Sequence, residues 1–161
     1  MVRFKNRYLL IEILYEAPQE SAALRALQPV VENLSTRELS KLVREAIQEN
    51  FGDYGAGVTN TGLQVKYFNP LTGLGIIRAP RDHFRLVWAA LTFMRKVHNR
   101  PCVIRVIHTS GTIRSAQSRA IAYDRDQLLR LAQQHLCEQA TQSNVAELTA
   151  ASEQAISALD H

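Results

Sequence analysis

An α+β fold is predicted by three observations. Runs rich in β-branched and aromatic residues recur at 2–15, 58–68, 74–79 and 101–108. Stretches with apolar residues at helical spacing separate them, in the order strand, helix, strand, strand, helix, strand. The two middle strands are joined only by Asn69-Pro-Leu-Thr-Gly73, a turn sequence, so they form a hairpin. That order is the split βαβ, or ferredoxin-like, arrangement, which RNA-recognition domains also use. It places an antiparallel sheet under helices on one face. Additional helices follow the last strand.

The first strand opens with Arg3, Lys5 and Arg7 alternating with Val2, Phe4, Asn6 and Tyr8. Cations two residues apart share one face at intervals of about 6.6 Å. That is close to the phosphate step of a nucleic-acid strand. A charged strand end kept from pairing with neighbours is the alternative. Leu9 to Tyr15 is nearly all apolar and predicts a central strand. Residues 16–34, with Pro18 and Pro29, read as an inserted loop with a short helix.

Ser35-Thr-Arg-Glu38 has the form of a capping box and opens a helix. Leu39, Leu42, Val43, Ala46 and Ile47 fall on one face, and Gly52 is expected to end it. Gly55-Ala-Gly57 then loosens the chain before the second strand. Pro80 stops the third strand and begins a helix in which Phe84, Val87, Trp88 and Leu91 share a face. This spacing predicts Trp88 in the core rather than as a base-stacking platform. Arg81 and Arg85 lie one turn apart near the helix start. The third strand, Leu74-Gly-Ile-Ile-Arg78, offers no aromatic for base stacking. The bare sheet face is therefore expected to serve something else, such as pairing with another protein.

Residues 101–119 organise the rest. Pro101 to His108 reads as a strand, and Ser110, Gly111 and Thr112 break it. Gly111 can take backbone angles that other residues avoid. Thr112 or Ser115 can cap the helix that follows. A strand running through a small-residue loop into a helix start leaves backbone N–H groups facing outward, which attracts anions. Arg105, Arg114 and Arg119 bring cations to the same corner. The alternative is a strand-to-helix junction whose arginines are solvated. Beyond it, Ala116, Ala120 and Tyr123 suggest a short helix. Asp124 can cap a second, with Leu128, Leu129, Ala132 and Leu136 on one face.

The 161 residues carry a formal charge of +4, unevenly spread. Between Tyr54 and Tyr123 the cations are Lys66, Arg78, Arg81, Arg85, Arg95, Lys96, Arg100, Arg105, Arg114 and Arg119, against the single acid Asp82. From Leu131 onward there are acids and no cations. A basic body with an acidic end suggests a polyanion-binding surface and a separate role for the end. One domain, 1–139 with the insertion 16–34, is expected. A polar tail, 140–161, should be a frayed helix or disordered until a partner binds.

Cys102 and Cys137 fit no metal or redox spacing, and a reducing compartment is expected. No signal peptide or membrane-spanning stretch is apparent. His83, His98, His108, His135 and His161 are not placed to share a metal, although His108 ends the fourth strand beside the corner. The basic middle lacks the carboxylates a protein-built two-metal nuclease needs. Ser110, Thr112 and Ser115 have no base partner that the sequence can place.

Several of these segments together resemble one family. They are Met1-Val-Arg-Phe-Lys-Asn-Arg-Tyr-Leu-Leu10, Tyr67-Phe-Asn-Pro-Leu-Thr-Gly73, Leu86-Val-Trp-Ala-Ala-Leu91, Ser110-Gly-Thr-Ile-Arg114, Tyr123 and Gln127-Leu-Leu129. Over roughly 1–137 the chain is similar to the Pop-five family, small protein subunits of ribonuclease P and ribonuclease MRP. The resemblance implies a ferredoxin-like core with C-terminal helices. It implies a ribonucleoprotein in which RNA cleaves the 5′ leader of precursor tRNA, with precursor ribosomal RNA as an MRP substrate. No cofactor is expected on the protein, and Mg2+ would be held by the RNA. The implied partners are the ribonuclease P and MRP RNAs, a barrel-fold protein subunit and a second small ferredoxin-like subunit, with no membrane. The implied location is the nucleus, especially the nucleolus. The expected RNA contacts are Arg3, Lys5, Arg7, Arg105, Ser110, Gly111, Thr112, Arg114 and Arg119. Ile113 is expected to pack or hold the loop. A protein-interaction adaptor with little RNA contact, and a protein-only nuclease, are the competing readings.

Overall fold

The computed structural model describes residues 5–15, 34–70 and 72–135. The elements run β1 (Asn6–Tyr15), α1 (Thr36–Asn60), β2 (Gln64–Asn69), β3 (Leu74–Pro80), α2 (Phe84–Phe93), β4 (Lys96–Val97), β5 (Arg100–Ser110) and α3 (Ile113–His135). The sheet order is β2-β3-β1-β5-β4, and every neighbouring pair is antiparallel. This is the expected α+β, ferredoxin-like arrangement, with β1 central and apolar from Leu9 to Ile11. Arg3, the insertion from 16 to 33, Leu136 and the tail 140–161 lie outside the described residues.

One face of the sheet is covered by α1 and α2. Leu9, Ile11 and Ile13 share a core with Leu39, Val43, Ile47, Val87 and Leu91. The start of α1 is fixed by the expected capping box. Glu38 N–H donates to Ser35 Oγ at 3.2 Å, and Ser35 N–H donates to Glu38 Oε2 at 2.7 Å. The Ser35 backbone N–H, chiefly, holds the Glu38 carboxyl below its ordinary pKa.

The sequence places a helix end at Gly52, and the backbone does break there, with φ 60° and ψ −157°. The chain does not go on to a strand at 58. It resumes helical geometry to Asn60, and β2 begins at Gln64. Gly55 and Gly57 are helical here, so the loose linker expected of them is absent. At the β2–β3 turn, Gly73 has φ 69°, and its carbonyl accepts from Ile13 N–H at 2.8 Å. A Cβ there would stand 2.6 Å from Ile13 O, so both conformation and space call for glycine.

The second face departs from the prediction of a bare surface. α3 lies on it, with Ala116 and Ala120 against Leu10, Tyr67, Leu74 and Ile76. A register shift between Val65 and Tyr67 makes this possible. It sends Val65 and Phe68 into the α1–α2 core and Tyr67 toward α3. A second shift, between Leu10 and Ile11 on β1, passes over Ile107 of β5. The two short C-terminal helices expected from the sequence are one helix. Asp124 is buried within it and does not cap a new one. The β4–β5 hairpin was not foreseen. Its turn uses His98 and Asn99, both with positive φ, as a type I′ two-residue turn requires.

Candidate nucleic-acid interface

The corner after β5 is built by short polar side chains. Ser110 is buried, and its Oγ donates to Thr112 O at 2.9 Å. That bond folds the chain at Gly111 into the first turn of α3. Thr112 is the cap: its Oγ1 accepts from Ser115 N–H at 3.3 Å, and its carbonyl accepts from Ala116 N–H at 3.3 Å. The first-turn N–H groups of a helix have no acceptor within it and carry partial positive charge outward.

Gly111 matters for space rather than for unusual angles. Its φ is not positive; among the described residues only Gly52 and Gly73 are glycines with positive φ. A Cβ on Gly111 would stand 2.9 Å from Arg7 Nη1. The missing side chain lets the Arg7 guanidinium lie against the loop at the α3 start. The antiparallel pairing of Tyr8 with Ser110 sets this, bringing the beginning of β1 to the end of β5.

Lys5, one residue before β1, is exposed at the same end of the sheet. Its carbonyl accepts from Arg81 N–H at 2.9 Å, which ties the turn before α2 to the corner. Arg114 and Arg119 stand exposed on α3, and Ile113 is half-buried. The structure thus brings Arg7, Ser110, Gly111 and Thr112 together, with Lys5 at the same end of the sheet and Arg114 and Arg119 on the helix leading away. His108 faces Leu10 within the sheet.

Arg105 stands apart from that group. It faces α3 from earlier in β5, paired with Glu12 four rungs from the Tyr8–Ser110 pair, and Nη2 donates to Glu12 Oε2 at 2.6 Å and to Tyr123 Oη at 2.7 Å. Tyr123 Oη lies 2.9 Å from Glu12 Oε2 and 3.0 Å from Oε1, and accepts from Gln127 Nε2 at 2.7 Å. The buried Glu12 carboxylate raises the Arg105 pKa. Burial, chiefly, raises that of Tyr123. The arginine holds α3 to the sheet while keeping part of its side chain in solvent.

Sequence reasoning assigned Glu12 no partner. A carboxylate in a central strand must be paired, and that rule was the available signal. It also put Trp88 in the core. Phe84, Val87 and Leu91 do pack inward, with Ala90, but Trp88 is 40% exposed. The inward positions 84, 87 and 91 leave 88 at the edge of the stripe, beside Arg85. Among the described residues, no three His, Cys, Asp or Glu side chains are placed to hold a metal ion. No described helix is long and apolar enough to cross a membrane.

A model of the Rpp14/Pop5 family matches residues 7–121. The ribonuclease P/MRP protein subunit POP5 of Schizosaccharomyces pombe is 44% identical over 128 residues, covering 80% of this chain and 91% of its own. The human protein of that name is 39% identical over 137 residues, covering 83% and 78%. A chain in a cryo-EM structure of yeast ribonuclease MRP aligns at a TM-score of 0.46 with 9% identity, over 70% of this chain and 79% of that one. The family match covers most of the described body, including β1, the sheet and the corner, and the chain belongs to the Rpp14/Pop5 family.

Proposed function

We propose that this chain is a non-catalytic protein subunit of ribonuclease P and ribonuclease MRP, and that it braces the folded RNA through phosphate contacts. Family membership supports the subunit role, since curated relatives carry that name. The observation that carries the RNA contact is the Arg7 guanidinium lying against Gly111 at the start of α3. A cation, a close backbone approach and the positive N-terminal end of α3 meet there, and all three favour an anionic oxygen. Lys5, Ser110, Thr112, Arg114 and Arg119 complete this surface, and Arg3, outside the described residues, is proposed as a further contact. Arg105 adds a half-exposed guanidinium whose charge is already shared with Glu12.

In this reading cleavage of the 5′ leader of precursor tRNA, and of precursor ribosomal RNA in the MRP particle, is done by the RNA with its own Mg2+. The protein supplies shape and positive charge. Its neighbours in the particle are the RNA, a barrel-fold subunit and a second small ferredoxin-like subunit, and the particle resides in the nucleus and nucleolus. The test is to purify the protein from its source and sequence the RNA that accompanies it. Ribonuclease P or MRP RNA is the expected result. Crosslinks mapping only to protein at Lys5 to Arg7 and at Gly111 to Arg119 would replace this reading with a protein adaptor. Cleavage of precursor tRNA by the RNA-free chain would replace it with an enzyme.

A further inference from the structure

The outer side of α2 carries an exposed aromatic framed by cations. Arg85 and Trp88 are one turn apart on the exposed face, and Arg81 precedes them in the entering turn. Arg95 and Lys96 follow the helix, both exposed. Trp88 is 40% and Phe93 57% exposed. Arg81, Arg85, Arg95 and Lys96 take no part in the ion pairs Lys41–Glu45 and Arg105–Glu12 seen among the described residues. Between Pro80 and Arg100 the sole acid is Asp82. Burial of Phe84, Val87, Ala90 and Leu91 already anchors the helix, so the fold does not need Trp88 inside.

We propose that this face of α2 is a second RNA-binding site, in which Trp88 stacks on an unpaired nucleobase while Arg81 and Arg85 hold the flanking phosphates. The inference rests on the RNA-subunit reading above and adds a base-contacting site to it. An aromatic platform between cations is how single-stranded nucleic acid is held without sequence preference. Arg85 and Trp88 differ by about 4.5 Å along the helix axis, a spacing suited to a phosphate and its own base. Continuity favours RNA over a protein partner. The hydrogen bond from Arg81 N–H to Lys5 O joins the start of this stripe to the corner, so one polyanion can run from α3 across β1 onto α2. A protein partner would have to supply acids against four cations as well as cover the ring.

Trp88 is the single tryptophan of the chain, so its emission reports on this site alone. The full-length protein is titrated with a 12-nucleotide oligoadenylate and, separately, with inorganic polyphosphate; binding is followed by anisotropy and Trp88 by fluorescence. Oligoadenylate should quench Trp88, and polyphosphate should bind without quenching. Trp88→Leu should weaken oligoadenylate binding at least about fivefold, the equivalent of about 1 kcal/mol per stacked base, and Trp88→Tyr should restore most of it. Arg7→Glu should weaken binding yet leave full quenching at saturation. Equal quenching by both probes would overturn the proposal. So would binding that is sensitive to Arg7→Glu while Trp88 stays silent and Trp88→Leu binds as wild type; that result leaves the corner intact. Crosslinking of Trp88 to protein rather than nucleotide in the native particle would also overturn it. No binding of either probe would remove this site and the corner together.

Discussion

On one face of the sheet, β1 meets α1 and α2 through aliphatic side chains: Leu9, Ile11, Leu39, Val43, Ile47, Val87 and Leu91 are fully buried there. On the other face, α3 presents mainly Ala116 and Ala120 to Leu10, Leu74 and Ile76. Its next two turns are fastened by the Glu12–Arg105–Tyr123–Gln127 network. The first face is held by shape-tolerant apolar burial, and the second by a few directional bonds around one buried carboxylate. α3 also carries the proposed RNA surface. The contrast implies that α3 is the more detachable part of a firmly built sheet.

Ile11→Ala on the apolar face should have the largest effect, lowering stability by about 2–5 kcal/mol in urea unfolding. The loss should appear in every probe at once, because that core is shared by both helices and the sheet. Tyr123→Phe should cost less, about 1–2 kcal/mol. It should act locally, speeding amide exchange in α3 while leaving α1 and α2 protected. Equal acceleration in all three helices would erase the distinction drawn between the two faces.

Alkaline pH should expose the same contrast. Burial raises the Tyr123 pKa above 10 in the folded state, and moves Tyr15 to about 12. The unfolded chain therefore releases these protons first. Their contribution is fully present below pH 10 and is lost as pH rises from there toward the folded values. Stability measured from pH 9 to 12 should fall, and Tyr123→Phe should flatten part of the fall. A pH-independent plateau would contradict the burial of these hydroxyls. The smallest stability effect belongs to Gly111→Ala, below about 0.5 kcal/mol. The added Cβ meets only the flexible end of Arg7. It should nevertheless weaken RNA binding by displacing that guanidinium.

The apolar face was legible in the sequence because its positions recur with the helical and strand periods. Leu39, Val43, Ala46 and Ile47 are placed in the core by helical spacing alone, and all four are buried. The capping box at Ser35 and the corner from Ser110 to Thr112 were legible for a related reason, since caps and breaks are local chemistry. The α3 face was not, because its partners are far apart in the chain. Glu12 and Tyr123 are separated by 111 residues, and no local pattern joins them. The register shift that turns Tyr67 toward α3 is likewise a property of pairing with β3. Gly52 shows the limit of a punctuation rule: the break was foreseen, and the helical turns beyond it were not. Trp88 was misplaced because helical spacing identifies a stripe but not its edge.

The central claim is that the corner formed by β1, the Ser110–Thr112 loop and the start of α3 touches RNA phosphates. The most direct measurement is the salt dependence of ribonuclease P RNA binding by wild type, Arg7→Glu and Arg114→Glu, each checked for an unchanged melting temperature. The account predicts weaker binding for both variants, with the slope of log K against log salt reduced by about one for each phosphate contact removed. Identical affinity and slope in all three folded proteins would contradict it.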